Sequence, residues 1–313
     1  MQTFSQLSAI QQLQVKREVS ALLSEGKGYK KIRRIFTQQG IKLSLGTLSY
    51  WCNIETKRLR KNSFTAKPSK ELAYFIGVLF GDGCASIDKK NHDYCLQLSS
   101  IDKEFVEKFS ICVSKLLGKE KNYPVHRSKH IFTANIRSKE LYQFVKEIKN
   151  DFEKAKPFIE SGPVEFIQGL ADSEGHPTVS AAKEFKIKVT VANSANLALL
   201  QYTQDLLIKF FNIKSTSRLT KRAGVTDSVI EGRKITRTKN VYLVETQTKT
   251  DTKKYYEKIG FNIYRKQQKL QYAIQITETY SIKQQQKEWT KKYIKVGKQW
   301  QLKPVQEIVQ KAP

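Results

Sequence analysis

Phe75-Ile76-Gly77-Val78-Leu79-Phe80-Gly81-Asp82-Gly83 and Ile167-Gln168-Gly169-Leu170-Ala171-Asp172-Ser173-Glu174-Gly175 are two versions of one pattern. Gly77 aligns with Gly169, an offset of 92 residues, which carries Gly81 onto Ser173, Asp82 onto Glu174 and Gly83 onto Gly175. A period of that size is too long for a solenoid unit and reads as a duplicated domain. Each segment is an apolar helix with small residues four apart, Gly77/Gly81 and Gly169/Ser173, so one face carries almost no side chain. Two such faces can pack with their backbones unusually close. Each helix is expected to stop at a glycine suited to a left-handed cap, and the residue before that glycine is a carboxylate both times. Pairing the helices brings Asp82 and Glu174 together at one end of a shared axis.

That placement is unfavourable without help. A carboxylate at a helix C-terminus faces the negative end of the dipole, and a second carboxylate adds repulsion. A divalent cation resolves both problems, and oxygen-only ligation with room for water and phosphate suits Mg2+, with Mn2+ as a substitute. The alternative is a pair of ordinary acidic helix ends on solvent. One copy of the motif would favour that alternative; two copies in register, with glycine on both sides, favour the cation.

The paired segments resemble the signature helices of the LAGLIDADG homing endonucleases, in the single-chain form, over about residues 70–265. The resemblance implies an α+β fold of two pseudosymmetric αββαββα half-domains, 70–160 and 161–264, whose sheets form a DNA-binding saddle. It implies a monomer that hydrolyses both strands of a long double-stranded DNA target across the minor groove, leaving short 3′ overhangs. Asp82 and Glu174 would be the catalytic carboxylates and metal ligands. The family also places polar or basic side chains around the cleft. Candidates here are Gln97, Ser99 and Ser100 in the first half and Lys186, Lys188 and Asn193 in the second, with Gln97 and Lys188 preferred. Some relatives carry a lysine just past the second signature carboxylate; Gly175, His176 and Pro177 stand there instead. His176 is either its substitute or structural. Asp172 reads as a helix-face residue rather than a ligand, because Phe80 is its equivalent in the first half.

The rest of the body follows the implied order. His92 to Ser100 reads as a strand with Leu96 and Leu98 inward, Asp102 caps a helix through Leu117, and His130 to Arg137 alternates again. Thr133, Asn135 and Arg137 point outward there. Phe185 to Val191 puts Ile187, Val189 and Val191 in the core and Lys186, Lys188 and Thr190 on the other face. Ser194 starts a helix to Phe211, Ile213 to Leu219 begins a strand, and Asn240 to Gln247 returns. Lys221 to Arg237 is a long connection rich in Arg, Lys and Thr. Arg218, Arg233 and Arg237 join the outward residues as candidate DNA contacts. A solvated sheet face would carry the same pattern. His126 and His130 are four apart, but Pro124 and the neighbouring cations indicate strand or loop rather than a histidine metal centre.

The 313 residues hold 56 Lys+Arg against 29 Asp+Glu, a net charge of +27. The positive charge is densest at the ends: residues 1–67 carry 13 basic and 3 acidic side chains, and 265–313 carry 11 and 3. The commonest acceptor for such a field is a nucleic-acid backbone. Before an expected linker at 61–69, residues 1–60 read as helix, helix, turn, helix, with Ser44 capping the third helix. That segment resembles a helix-turn-helix of the resolvase or homeodomain-like type. Thr47, Ser49 and Tyr50 would face the major groove, with Arg58 and Arg60 on phosphates; a structural or protein-binding bundle would show the same periodicity. Residues 265–313 read as a basic, helical extension without an interpretable motif. The four cysteines form no CxxC pair, so disulfides and structural zinc are not expected. No apolar run matches a membrane span, and the expected setting is soluble and intracellular, in a prokaryotic cytoplasm or an organelle interior. The function the resemblance implies is a site-specific homing endonuclease, intron-encoded or free-standing. The alternatives are an intron-RNA maturase and a non-catalytic DNA-binding regulator of the same fold, of the sporulation type, which has lost the acidic pair.

Overall fold

The computed structural model describes residues 1–58, 64–88, 90–91, 93–181, 184–230, 233–297 and 299–304, without the side chains of 53–58, 227–230 and 235. The chain divides into two compact units, Met1–Ser63 and Phe64–Pro313.

The first unit runs β1 (Gln2–Thr3), α1 (Ala9–Ser24), α2 (Tyr29–Gln38), β2 (Ile41–Lys42) and α3 (Leu45–Arg58). Its core is Leu7, Val15, Val19, Ile32, Phe36, Leu43 and Leu48. Ser8 and Gln11 cap α1 reciprocally, and Ser44 Oγ accepts from Thr47 N at the start of α3. Beyond the expected helices, β1 pairs in parallel with β2, and Phe4 sits edge-on to Trp51.

The second unit begins α4 (Lys70–Phe80), β3 (Cys84–Asp88), β4 (Asp93–Ser100), α5 (Lys103–Leu116), β5 (Val125–Ser128), β6 (Ile131–Arg137) and α6 (Lys139–Asn150). A short α7 (Lys156–Glu160) leads to α8 (Pro163–Glu174), β7 (His176–Ala181), β8 (Phe185–Ser194), α9 (Leu197–Phe211) and β9 (Ser215–Lys221). A ribbon, β10 (Thr226–Ile230) with β11 (Arg233–Thr236), precedes β12 (Val241–Thr246) and α10 (Lys249–Lys258). The chain continues through α11 (Tyr264–Thr279), α12 (Ile282–Lys292), β13 (Tyr293–Val296) and β14 (Gln299–Leu302). Helix-strand-strand-helix-strand-strand-helix thus occurs twice, once from each signature segment, if the β10–β11 ribbon is taken as an insertion. Both four-stranded sheets are antiparallel, with orders β3-β4-β6-β5 and β7-β8-β12-β9.

The signature helices α4 and α8 lie against each other along their glycine faces. A Cβ added at Gly77 would fall 2.2 Å from the Phe166 carbonyl oxygen, and one at Gly169 would fall 2.4 Å from that of Tyr74. At Gly81 the obstacle is Ser173 Cβ, 2.3 Å away. The flanking Phe75, Ile76, Val78, Phe166, Ile167 and Leu170 are buried in the sheets and helices around the pair. The expected left-handed glycine caps do not occur: neither Gly83 nor Gly175 has positive φ. Both glycines are there for room. A Cβ at Gly175 would meet the Thr190 carbonyl oxygen at 2.6 Å, and one at Gly83 would meet Leu79 Cα at 2.9 Å.

Other expectations shift locally. Phe64, inside the expected linker, packs on Phe144 and belongs to the body, while residues 59–63 lie outside the described residues. His92, the expected strand start, is also outside them, and β4 begins at Asp93. The helix after β8 is capped by Asn196 rather than Ser194, because β8 runs on through Ser194 to stay paired with Tyr242. Asp102 stands at the N-cap of α5 but gives its carboxylate to Arg265, which donates through Nε and Nη2 at 2.6 and 2.7 Å. The extension is not wholly helical: among the described residues α12 is followed by the β13–β14 hairpin, gathered around buried Trp289. Trp289 stacks on Tyr293 at 4.1 Å and sits edge-on to Phe185 and Trp300.

Gly169→Ala is expected to destabilise the chain at or beyond the top of the ~1–3 kcal/mol range for overpacking, because the obstacle is backbone rather than a movable side chain. Gly46→Ala, which meets only Ser44 Oγ at 3.6 Å, should change stability by less than about 1 kcal/mol. Urea denaturation of both variants checks the pair; equal effects would remove the close-packing account.

Candidate active site

The close approach of α4 and α8 delivers the two carboxylates. Asp82 follows Gly81, the C-cap of α4, and Glu174 is the last residue of α8. Asp82 is exposed and Glu174 half-buried, yet the protein crowded around the helix ends pushes both carboxyls above their ordinary range. The Asp82 charge raises Glu174 further, so the two groups repel across the gap. A single cation opposes this: Lys266, from the first turn of α11, lowers both.

Lys266 is buried, at 6% exposure. Its ammonium donates to the carbonyls of Asp172 at 2.6 Å and Ala171 at 3.2 Å, covering bare acceptors in the last turn of α8. Burial is the main reason its value falls to about 8, with Arg265 adding to the fall and Asp172 opposing it. Asp172 itself is a buried structural carboxylate. It accepts from Tyr74 Oη, Asn262 N and Asn262 Nδ2, each at 3.0 Å, and from Ile263 N at 3.4 Å. It therefore joins α4, α8 and the turn into α11.

The donor set fits a hard divalent cation. Two carboxylates converge with excess negative charge, and among the described residues no group of three or more His, Cys, Asp or Glu closes a protein cage. Two protein oxygens leave the remaining positions to water and substrate phosphate, the arrangement Mg2+ favours. Asp82 and Glu174 are the residues that would hold it.

The other expected site residues scatter. Gln97 lies on β4 between Cys84 and Asn135. Lys188 donates to Glu245 Oε1 at 2.7 Å, and Arg218 lies 3.5 Å from the same oxygen, so this buried glutamate on β12 holds both cations on the sheet. The cation beside the carboxylate pair is Lys266 instead of Lys188. Thr190 shares the face of Lys186 and Lys188 but is only 2% exposed, which corrects its placement among residues open to DNA. Thr190 lies between His176 on β7 and Glu245 on β12, and the end of α8 packs against its backbone, where a Cβ at Gly175 would meet the Thr190 carbonyl oxygen at 2.6 Å. His176 opens β7, and the surrounding protein, Lys266 and Lys269 push its imidazole below the ordinary value. Asn135, Arg137, Lys186 and Arg233 are exposed, with Arg137 paired to Asp93 and Lys186 to Glu184. Thr133 shares a hydrogen bond with Ser99, and the Arg237 backbone closes the turn at Gly224. In the first unit Tyr50 is exposed, Thr47 and Ser49 are half-buried, Arg58 ends α3, and Arg60 lies outside the described residues.

Lys266 had one visible signal. It shares a helical face with Leu270, Ala273 and Thr277, so it is a lysine in an apolar stripe.

No protein-family model matches the chain. It is similar to a protein of Methanocaldococcus jannaschii named Uncharacterized protein MJ0398, at 29% identity over 87% of this chain and 97% of that one. Among solved structures it is similar to the homing endonuclease I-DmoI in complex with DNA and Ca, at 16% identity and a TM-score of 0.43, covering 66% of this chain and 99% of that one. It is also similar to full-length DUF199/WhiA from Thermatoga maritima, at 17% identity and a TM-score of 0.41, covering 73% and 66%. No helix among the described residues is long and apolar enough to cross a membrane.

Both carboxyls have folded values above their ordinary ones, so the folded chain holds protons that the unfolded chain has released. Stability therefore falls as pH rises through the interval from about 4 up to the raised values, and the full cost persists above it. In chelator at pH 7, Asp82→Asn should raise Tm and flatten that fall. Millimolar Mg2+ should raise the wild-type Tm by several degrees, in line with ~2.7 kcal/mol at a hundredfold excess over Kd, and leave Asp82→Asn/Glu174→Gln unmoved. Thermal scans that show no Mg2+ shift would sink the metal assignment.

Proposed function

We propose that the chain is a single-chain LAGLIDADG-type DNA endonuclease that makes a metal-dependent double-strand break in a long target. The carrying observation is the pairing of two glycine-faced helices that brings one carboxylate from each duplicated segment to a shared point. In this reading the two half-domains place their sheets as a saddle over duplex DNA. Exposed Asn135, Arg137, Lys186 and Arg233 then meet base edges and phosphates. Asp82 and Glu174, one from each signature segment, are the residues that would hold a divalent cation, which would supply Lewis-acid charge for phosphodiester hydrolysis. Lys266 fixes the end of α8 and thereby the position of Glu174. The first unit adds a helix-turn-helix-like contact through Tyr50 and its neighbours on α3, and the net charge of +27 supports duplex binding throughout.

A second reading, a DNA-binding regulator without catalysis, is favoured by Lys266. A buried ammonium beside the pair offsets part of its charge without a metal. The two readings part on cutting. Asp82→Asn or Glu174→Gln should abolish Mg2+-dependent double-strand cleavage while duplex affinity stays within about threefold; sequencing new ends from a pool of duplexes, beside the double variant, checks both. Capture of a specific duplex by the wild-type chain without any cut would move the assignment to the regulator.

Removal of residues 1–63 should weaken duplex binding and lower the slope of log K against log salt, by about 0.9 for each phosphate that the unit neutralises. An unchanged slope would make that unit a structural appendage.

A further inference from the structure

The extension and β7 enclose a cavity of ≈ 510 Å3, within the size range of ligand pockets. His176 and Thr178 form one wall, Arg265, Lys266 and Lys269 a second, and Trp300 part of a third. Among the described residues, no aspartate or glutamate lines it. Two of the three cations are already engaged: Arg265 by the Asp102 carboxylate and Lys266 by the carbonyls at the end of α8. Lys269 differs. It is half-buried, its ammonium donates to the Trp300 carbonyl at 3.2 Å, and among the described residues it makes no ion pair with a carboxylate. Burial and the nearby Arg265 both work against its charge, so an anion would relieve it.

Beside that ammonium stands Trp300, half-buried and steadied edge-on by Trp289 at 6.0 Å. Gln268, Gln299 and Gln301 also line it, with amides that can donate and accept. A partly desolvated cation, an indole held in place and flanking amides together match a phosphate joined to a planar base.

We propose that this cavity binds a nucleoside phosphate, with the phosphate at Lys269, the base against Trp300 and its edge at the glutamine amides. The source is either one nucleotide of a single strand or a free mononucleotide. The assignment needs neither cleavage nor the Asp82–Glu174 metal.

The test uses the full chain in EDTA, where nothing is cut, at about 0.15 M salt to screen the general basic surface. Anisotropy of a fluorescein-labelled single-stranded hexanucleotide is read for wild type, Lys269→Gln, Lys269→Arg and Trp300→Ala, with unlabelled deoxyadenosine monophosphate as competitor. Circular dichroism and Tm establish folding of each variant. Saturable binding at least tenfold weaker in Lys269→Gln and Trp300→Ala, and substantially recovered in Lys269→Arg, is expected. Competition by the mononucleotide would assign the site to free nucleotides as well; failure to compete would assign it to a strand. Should Trp300→Ala unfold the hairpin, the Lys269→Gln and Lys269→Arg pair still decides. Equal affinity in wild type and folded Lys269→Gln, or no saturable binding of either probe, would overturn the proposal.

Discussion

Two helices touching backbone to backbone are the constraint from which the second unit follows. Where Gly77 faces the Phe166 carbonyl and Gly169 faces that of Tyr74, there is no space for even a methyl group. Packing that close makes the register of α4 against α8 all but unique, since a slip by one residue would drive Phe or Leu side chains into the partner helix's backbone. The register then decides where each helix ends, and so where Asp82 and Glu174 lie. Each sheet follows directly from its signature helix, β3 after α4 and β7 after α8, so the same contact orients both sheets.

A second layer of interactions holds that arrangement from the far side. Asp172 accepts four hydrogen bonds from α4 and from the turn into α11, while Lys266 covers the carbonyls that the end of α8 leaves bare. Arg265, the residue before Lys266, crosses to Asp102 in the first half. The start of α11 therefore ties both halves to the signature helices. It also explains how two repelling carboxylates persist at adjacent helix ends: one buried ammonium lowers both, and burial weakens that ammonium's own charge in return.

Much of the fold is legible in the sequence because its signals are local. The alternation of Ile187, Val189 and Val191, the apolar faces of the helices, and the paired glycines report period and side-chain size, which the chain carries residue by residue. Where the expected role of a polar side chain and the structure part, a partner from another element is the cause. Lys188 reads as a free cation, but Glu245, 57 positions on, holds it. Thr190 sits on the polar side of a strand by alternation, but it lies between His176 and Glu245, and the end of α8 packs against its backbone. Asp102 has the identity and position of a cap, and Arg265 draws it elsewhere. Gly83 and Gly175 have the positions of glycines of handedness, and they are glycines of clearance.

What the sequence by itself determined is the repeated motif, its glycine faces and the carboxylate at the end of each, because a repeat and a small-residue stripe are complete in the order of residues. Tertiary structure alone decided which cation stands at those carboxylates and which acid holds which base. Lys266 reaches the site from an extension with no motif of its own, and Lys269 on α11 meets Trp300 on β14. A salt bridge or a cavity is a matter of which distant segments arrive at one place, and that follows from how the helices and sheets pack.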